Sequence, residues 1–185
     1  MKRQLLVIVL ALQAAWIVAT IAVQERRLHS GTVVLLETAP VDPRDLLRGD
    51  YVILNYKIST VPAALFPGGL AKETRPGAPV FVRLEKRGEF HEVQIASLEP
   101  LKSDPEHPVL RGKVSARWAW GANTDTNRSL RLEYGLERFY VREGTGNPRG
   151  KLTVEASVSR SGHAAIRQVF VDGKPYAEVM KDAAH

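Results

Sequence analysis

Four side chains with the chemistry to act on a ligand stand near turn signals in this chain: Asp50, Tyr134, Glu137 and Glu143. Carboxylates and phenols of this kind suit a small polar pocket, a hydrolytic centre or a partner-binding surface. Spacing limits the choice. On an extended chain Glu137 and Glu143 share a face but stand roughly 20 Å apart, beyond the reach of one acid–base pair. Gly135, Tyr140 and Gly144 complete that candidate segment, with Arg138 inside it. Histidines at 29, 91, 107, 163 and 185 have no metal-ligand spacing, and the chain has no cysteine. Disulfides, thiol catalysis and zinc–thiolate sites are therefore excluded. No Gly-x-Ser-x-Gly elbow or phosphate-binding glycine loop occurs, so no catalytic, cofactor or metal residue is assigned.

The elements that must hold these groups are readable from pattern. Asp42-Pro43-Arg44-Asp45 and Gly49-Asp50 are turn chemistry, and Tyr51-Val52-Ile53-Leu54-Asn55-Tyr56 is strand chemistry. Tyr51, Ile53 and Asn55 fall on one face of that strand and Val52, Leu54 and Tyr56 on the other. With only Asn55 interrupting two apolar or aromatic faces, the strand is expected to be covered on both sides. The two tyrosines are expected to pack, their hydroxyls reaching a rim. Gly49 is expected in a turn that a Cβ would strain.

Gly49, Asp50, Tyr51, Leu54 and Tyr56 spell Gly-Asp-Tyr-x-x-Leu-x-Tyr, and the chain resembles the GDYXXLXY family of bacterial proteins. The block Tyr134–Gly144 is similar to that family's other recurring segment, with Arg142 where proline is usual. The resemblance spans about residues 32–175. It implies a membrane-anchored protein with no assigned reaction, whose relatives are often associated with multi-spanning membrane proteins.

Leu5–Val23 is apolar apart from Gln13 and Thr20. At about 1.5 Å per residue this segment is roughly 28 Å long, close to the hydrocarbon thickness of a bilayer. Lys2, Arg3 and the α-amino group precede it, and Glu25, Arg26 and Arg27 follow. The run is longer than the roughly 7–15 apolar residues of a cleaved signal peptide, so an uncleaved signal-anchor helix is expected, with cleavage after Thr20-Ile21-Ala22 as the alternative. Positive-inside logic puts its N-terminus in the cytoplasm. The expected location is the inner membrane, with residues 5–23 in lipid and the rest periplasmic or otherwise extracytoplasmic. The formal net charge of +6 over 185 residues is modest, and its arginines are scattered. Nucleic acid is not an expected partner.

Downstream, strands are predicted over 32–37, 80–85, 92–98, 109–120, 129–134, 152–158 and 165–171, with hairpin turns at Gly88 and Gly162 and a final turn at Asp172-Gly173. A loop marked by proline and glycine covers 61–79, with one helical turn at 63–66. Leu36-Glu37, Asp42-Pro43 and Leu47-Arg48-Gly49 recur in order as Leu98-Glu99, Asp104-Pro105 and Leu110-Arg111-Gly112. Two β-units, about 32–98 and 99–172, are therefore expected to share one core. The predicted fold is mainly β: residues 1–31 form a cytoplasmic stub, transmembrane helix and linker, and 32–180 an antiparallel barrel or sandwich. The expected role is that of an accessory subunit of a bacterial membrane protein complex. The alternative is a ligand-binding or hydrolytic module using Asp50, Tyr134, Glu137 and Glu143.

Overall fold

The computed structural model describes residues 2–39, 51–69, 75–116, 129–141 and 150–182. Helix α1 (Lys2–Ser30) leads directly into a mainly antiparallel β-domain. Within α1, Gln4–Val23 is long and apolar enough to cross a membrane and is not buried against any of the described residues. Its apolar residues are exposed all round, which suits a helix solvated by lipid and not one lying on a surface.

The domain contains β1 (Thr32–Glu37), β2 (Tyr51–Ile53), β3 (Thr60–Pro62), β4 (Pro79–Arg87), β5 (Phe90–Ser97), β6 (Val109–Val114), β7 (Ser129–Glu133), β8 (Arg138–Tyr140), β9 (Leu152–Val158), β10 (Ala164–Val171) and β11 (Lys174–Pro175). They pair as β1-β9-β10-β11, β2-β8 and β3-β7-β6-β4-β5. The Thr38–Tyr56 bridge joins β1 to the motif segment, and β5 lies against β1, so the sheets wrap into a nearly closed barrel. A single core runs through it from Val34 and Leu36 to Leu84, Leu110, Leu132 and Val154.

The pairing repeats. Exchange β1–β5 for β6–β10, and β1–β9, β9–β10 and β2–β8 become β6–β4, β4–β5 and β7–β3. The Thr38–Tyr56 bridge likewise becomes the β6–β7 contact. Both hairpins carry a register shift in the strands and a positive-φ glycine in the turn, Gly88 and Gly162. The Leu36-Glu37 and Leu98-Glu99 copies do not coincide with this exchange: the first ends β1 and the second follows β5.

Other elements differ from expectation. The motif segment is a three-residue strand and a bridge, not a continuous strand, and it is covered on one side only. Val52, Leu54 and Tyr56 are buried, whereas Tyr51, Ile53 and Asn55 are half-exposed, because their face borders an open cleft. Strand β6 ends at Val114 instead of running to 120, and residues 117–128 lie outside the described residues. The chain also closes on a short helix, α2 (Tyr176–Asp182), which packs on β10 and β11. Tyr176 explains why it is held: its ring meets Phe139 edge-on, centroids 5.4 Å apart.

One contact ties β1 to the β4–β5 hairpin. The Leu35 N–H donates to Nδ1 of His91 at 3.1 Å, which requires that nitrogen unprotonated. Burial, with Lys86 adding to it, holds the His91 pKa below the ordinary histidine value. A folded-state pKa below the unfolded one means stability is full above about pH 6.5 and is lost as pH falls below that value. Glu37 titrates in a lower window, since hydrogen bonds from Lys151 and then Lys57 depress its pKa. Denaturant midpoints of the full chain in detergent should therefore drop between pH 7.5 and 5.5, and His91→Gln should flatten the slope. An unchanged slope in the variant would assign the pH dependence to other groups.

Candidate functional site

The second copy of the motif pattern starts in β7 and runs on to Leu136, and the two copies clasp each other. Val52-x-Leu54-x-Tyr56-x-Ile58 and Leu130-x-Leu132-x-Tyr134-x-Leu136 alternate in the same way, every named residue buried. The Tyr56 hydroxyl donates to the Leu136 carbonyl at 2.8 Å. The Tyr134 hydroxyl donates to the Ile58 carbonyl at 2.7 Å. Each tyrosine thus bonds the residue two places beyond the other. Burial first, and the nearby Glu137 charge second, push both phenol pKa values well above the ordinary range. Both stay protonated donors. Neither hydroxyl reaches a rim.

Replacing either hydroxyl with hydrogen leaves a buried carbonyl without its donor, a loss of about 1–3 kcal/mol. Tyr56→Phe and Tyr134→Phe should therefore lower the stability of the full chain by similar amounts in denaturant titration. Unequal effects, one near zero, would show that only one copy of the clasp carries structure.

Glu137 completes this arrangement from the loop between β7 and β8. Its carboxylate accepts the N–H of Tyr134 at 2.5 Å and of Gly135 at 2.9 Å. Its own carbonyl accepts the Leu54 N–H at 2.8 Å. Gly135 sits at φ 81°, a left-handed conformation that glycine adopts without strain.

The outward faces of the same strands line a cleft of about 600 Å³. Tyr51, Ile53 and Asn55 come from the motif segment, Arg131 and Glu133 from β7, and Arg138 and Tyr140 from β8. Arg131 Nη2 donates to Asn55 Oδ1 at 2.7 Å across the two copies. The Ser115 hydroxyl donates to Glu133 at 2.5 Å. On the rim, the Tyr51 and Tyr140 rings lie 6.0 Å apart and tilted by 59°. The Arg138 guanidinium sits 5.5 Å from the centre of the Tyr51 ring. Tyr140 is 71% exposed, high for so large an aromatic side chain. A smaller cleft, about 420 Å³, lies beside it, where Glu37 bridges Lys57 at 2.6 Å and Lys151 at 2.7 Å.

Among the expected site residues, the cleft gathers Tyr51, Gly135, Glu137 and Tyr140. Leu54, Tyr56 and Tyr134 face the core instead. Gly49, Asp50, Glu143 and Gly144 lie outside the described residues. Arg131, Ser115 and Glu133 do not stand out in the sequence. The polar break at Asn55 was the available signal, and its partner is 76 residues away. Among the described residues no group of three or more histidine or acidic side chains is placed to hold a metal ion. A family model described as GDYXXLXY protein matches residues 13–169. No curated protein and no solved structure gives a match.

Proposed function

The chain belongs to the GDYXXLXY family, and from that premise we propose that it is a membrane-anchored accessory subunit whose β-domain binds a multi-spanning membrane protein. In this reading α1 stays attached as a single span of the inner membrane, with its N-terminus in the cytoplasm and the β-domain outside. The observation that carries it is the Tyr51–Tyr140–Arg138 cluster on the cleft rim. Tyrosine and arginine are enriched at the energetic centres of protein interfaces: tyrosine offers a large amphipathic ring on two rotatable bonds, and arginine a planar guanidinium that stacks and donates several hydrogen bonds. A motif tyrosine that the core does not use is well suited to that role.

A photo-crosslinking amino acid at position 140, incorporated in the native membrane, tests this. It should give an adduct with an integral membrane protein, while the same group at Lys174 should not. The Tyr51→Ala, Arg138→Ala double variant should lose that adduct while remaining folded, its stability lowered by no more than about 1 kcal/mol. Equal adducts at both positions, or a product containing only small molecules, would overturn the reading.

A further inference from the structure

Helix α1 does not stop at the end of its apolar span. It continues through residues 24–30, and Gly31 alone separates it from β1. Seven helical residues lift the start of β1 only about 10 Å beyond the hydrocarbon. The headgroup layer itself is roughly 5–8 Å deep on each side of a bilayer. No flexible tether is available. A Cβ at Gly31 would collide with Ser157 Oγ and stand 2.8 Å from the Val158 carbonyl oxygen. Helix and barrel therefore meet through a closely packed glycine.

Strand β9 runs antiparallel to β1, with Val158 opposite Thr32. Beyond Val158 the chain has returned to the end of β1 that adjoins α1, and the Ser159–His163 turn follows before β10. Both β9 and β10 contact α1, so this end of the hairpin lies beside the helix. The turn is held in shape: Ser159 N–H and hydroxyl both donate to the His163 carbonyl, at 2.8 and 2.9 Å, and Gly162 N–H returns to Ser159. Arg160 and Ser161 are exposed at its tip. Arg167, further along β10, is already paired with Glu155 at 3.1 Å.

We propose that the Ser159–His163 turn rests in the headgroup layer of the bilayer that α1 crosses, with Arg160 on lipid phosphate. The guanidinium fork matches phosphate oxygens, and the turn presents it at the depth where they lie. This contact and the Gly31 junction fix the orientation of the barrel on the membrane. The Thr38–Tyr56 bridge is at the far end of β1, so the Tyr51–Tyr140 rim faces away from the lipid. A partner must then be met through a part that stands clear of the bilayer. The proposal rests on α1 being retained as a span.

Full chain in nanodiscs tests it, with single cysteines at Ser161 and Lys174 carrying a spin label. The two positions are separated by β10, roughly 25 Å at strand rise. A nickel-chelating lipid, whose paramagnetic ion sits at headgroup level, should relax the label at 161 severalfold more than the label at 174. Arg160→Glu should reduce that difference in discs of phosphatidylglycerol, and Gly31→Val should abolish it. Equal relaxation at both positions, or an effect of Arg160→Glu no larger than that of Arg167→Glu, would overturn the proposal. Intact mass of the disc-bound chain separately reports whether α1 is retained, so loss of the span is distinguishable from loss of the contact.

Discussion

Leu54→Ala should be among the most damaging single changes in the motif, lowering stability by about 2–5 kcal/mol. Leu54 is fully buried within the core, and truncation to alanine leaves a cavity that the surrounding strands can only partly fill. Its counterpart Leu132, 1% exposed, should cost a similar amount. Tyr51→Ala, three residues before Leu54, should stay within about 1 kcal/mol, since its ring lies on the cleft rim and is half-exposed. Denaturant unfolding of the full chain in detergent measures all three. A Tyr51→Ala loss as large as that of Leu54→Ala would show that the outer face of the motif is structural, and would remove the main support for a binding rim there.

That contrast also marks what the sequence carries and what it hides. Alternation in 51–56 and 129–134 assigns each side chain to a face, because a strand turns its side chains over at every residue. Turn glycines at 88 and 162 locate both hairpins, each glycine having the positive φ that its turn needs. An apolar run of bilayer length identifies α1 as a candidate span. What covers the outer face of the motif is not local information. Whether Asn55 is exposed or packed depends on Arg131, brought to it by the pairing of strands from opposite halves of the chain. The repeat shows the same difficulty. Leu-Glu and Leu-Arg-Gly matches are conspicuous as letters, yet the copies that correspond in space are Leu54-x-Tyr56-x-Ile58 and Leu132-x-Tyr134-x-Leu136. Their likeness lies in alternation and in two hydroxyl contacts, which the letters between them obscure. Helix α2 is illegible in the sequence for a related reason: its seven residues are too few to form a stable helix alone, and packing on β10 and β11 decides the matter.

Glu137→Ala should cost about 2–4 kcal/mol, and that expectation changes how the segment 134–144 is to be regarded. On sequence alone Glu137 invites a role in binding, with truncation leaving stability nearly unchanged. In the fold both carboxylate oxygens are engaged, one by the Tyr134 N–H and one by the Gly135 N–H. Hydrogen bonds to a charged acceptor are worth about 1.5–3 kcal/mol each, somewhat less at the more exposed Gly135. The loop they close delivers two carbonyls to the motif segment: that of Leu136 to the Tyr56 hydroxyl and that of Glu137 to the Leu54 N–H. Loss of the carboxylate therefore loosens the clasp at its origin. Glu137→Gln keeps one acceptor oxygen but must turn an amide N–H toward a backbone donor, so it should recover less than half of the loss. A double-mutant cycle of Glu137→Ala with Tyr56→Phe should show coupling of about 0.5–3 kcal/mol, as expected for groups in one hydrogen-bonded network. Strictly additive losses would mean that the loop holds its shape without the carboxylate. Glu137 would then be free to serve the cleft, and the site would have to be redrawn around it.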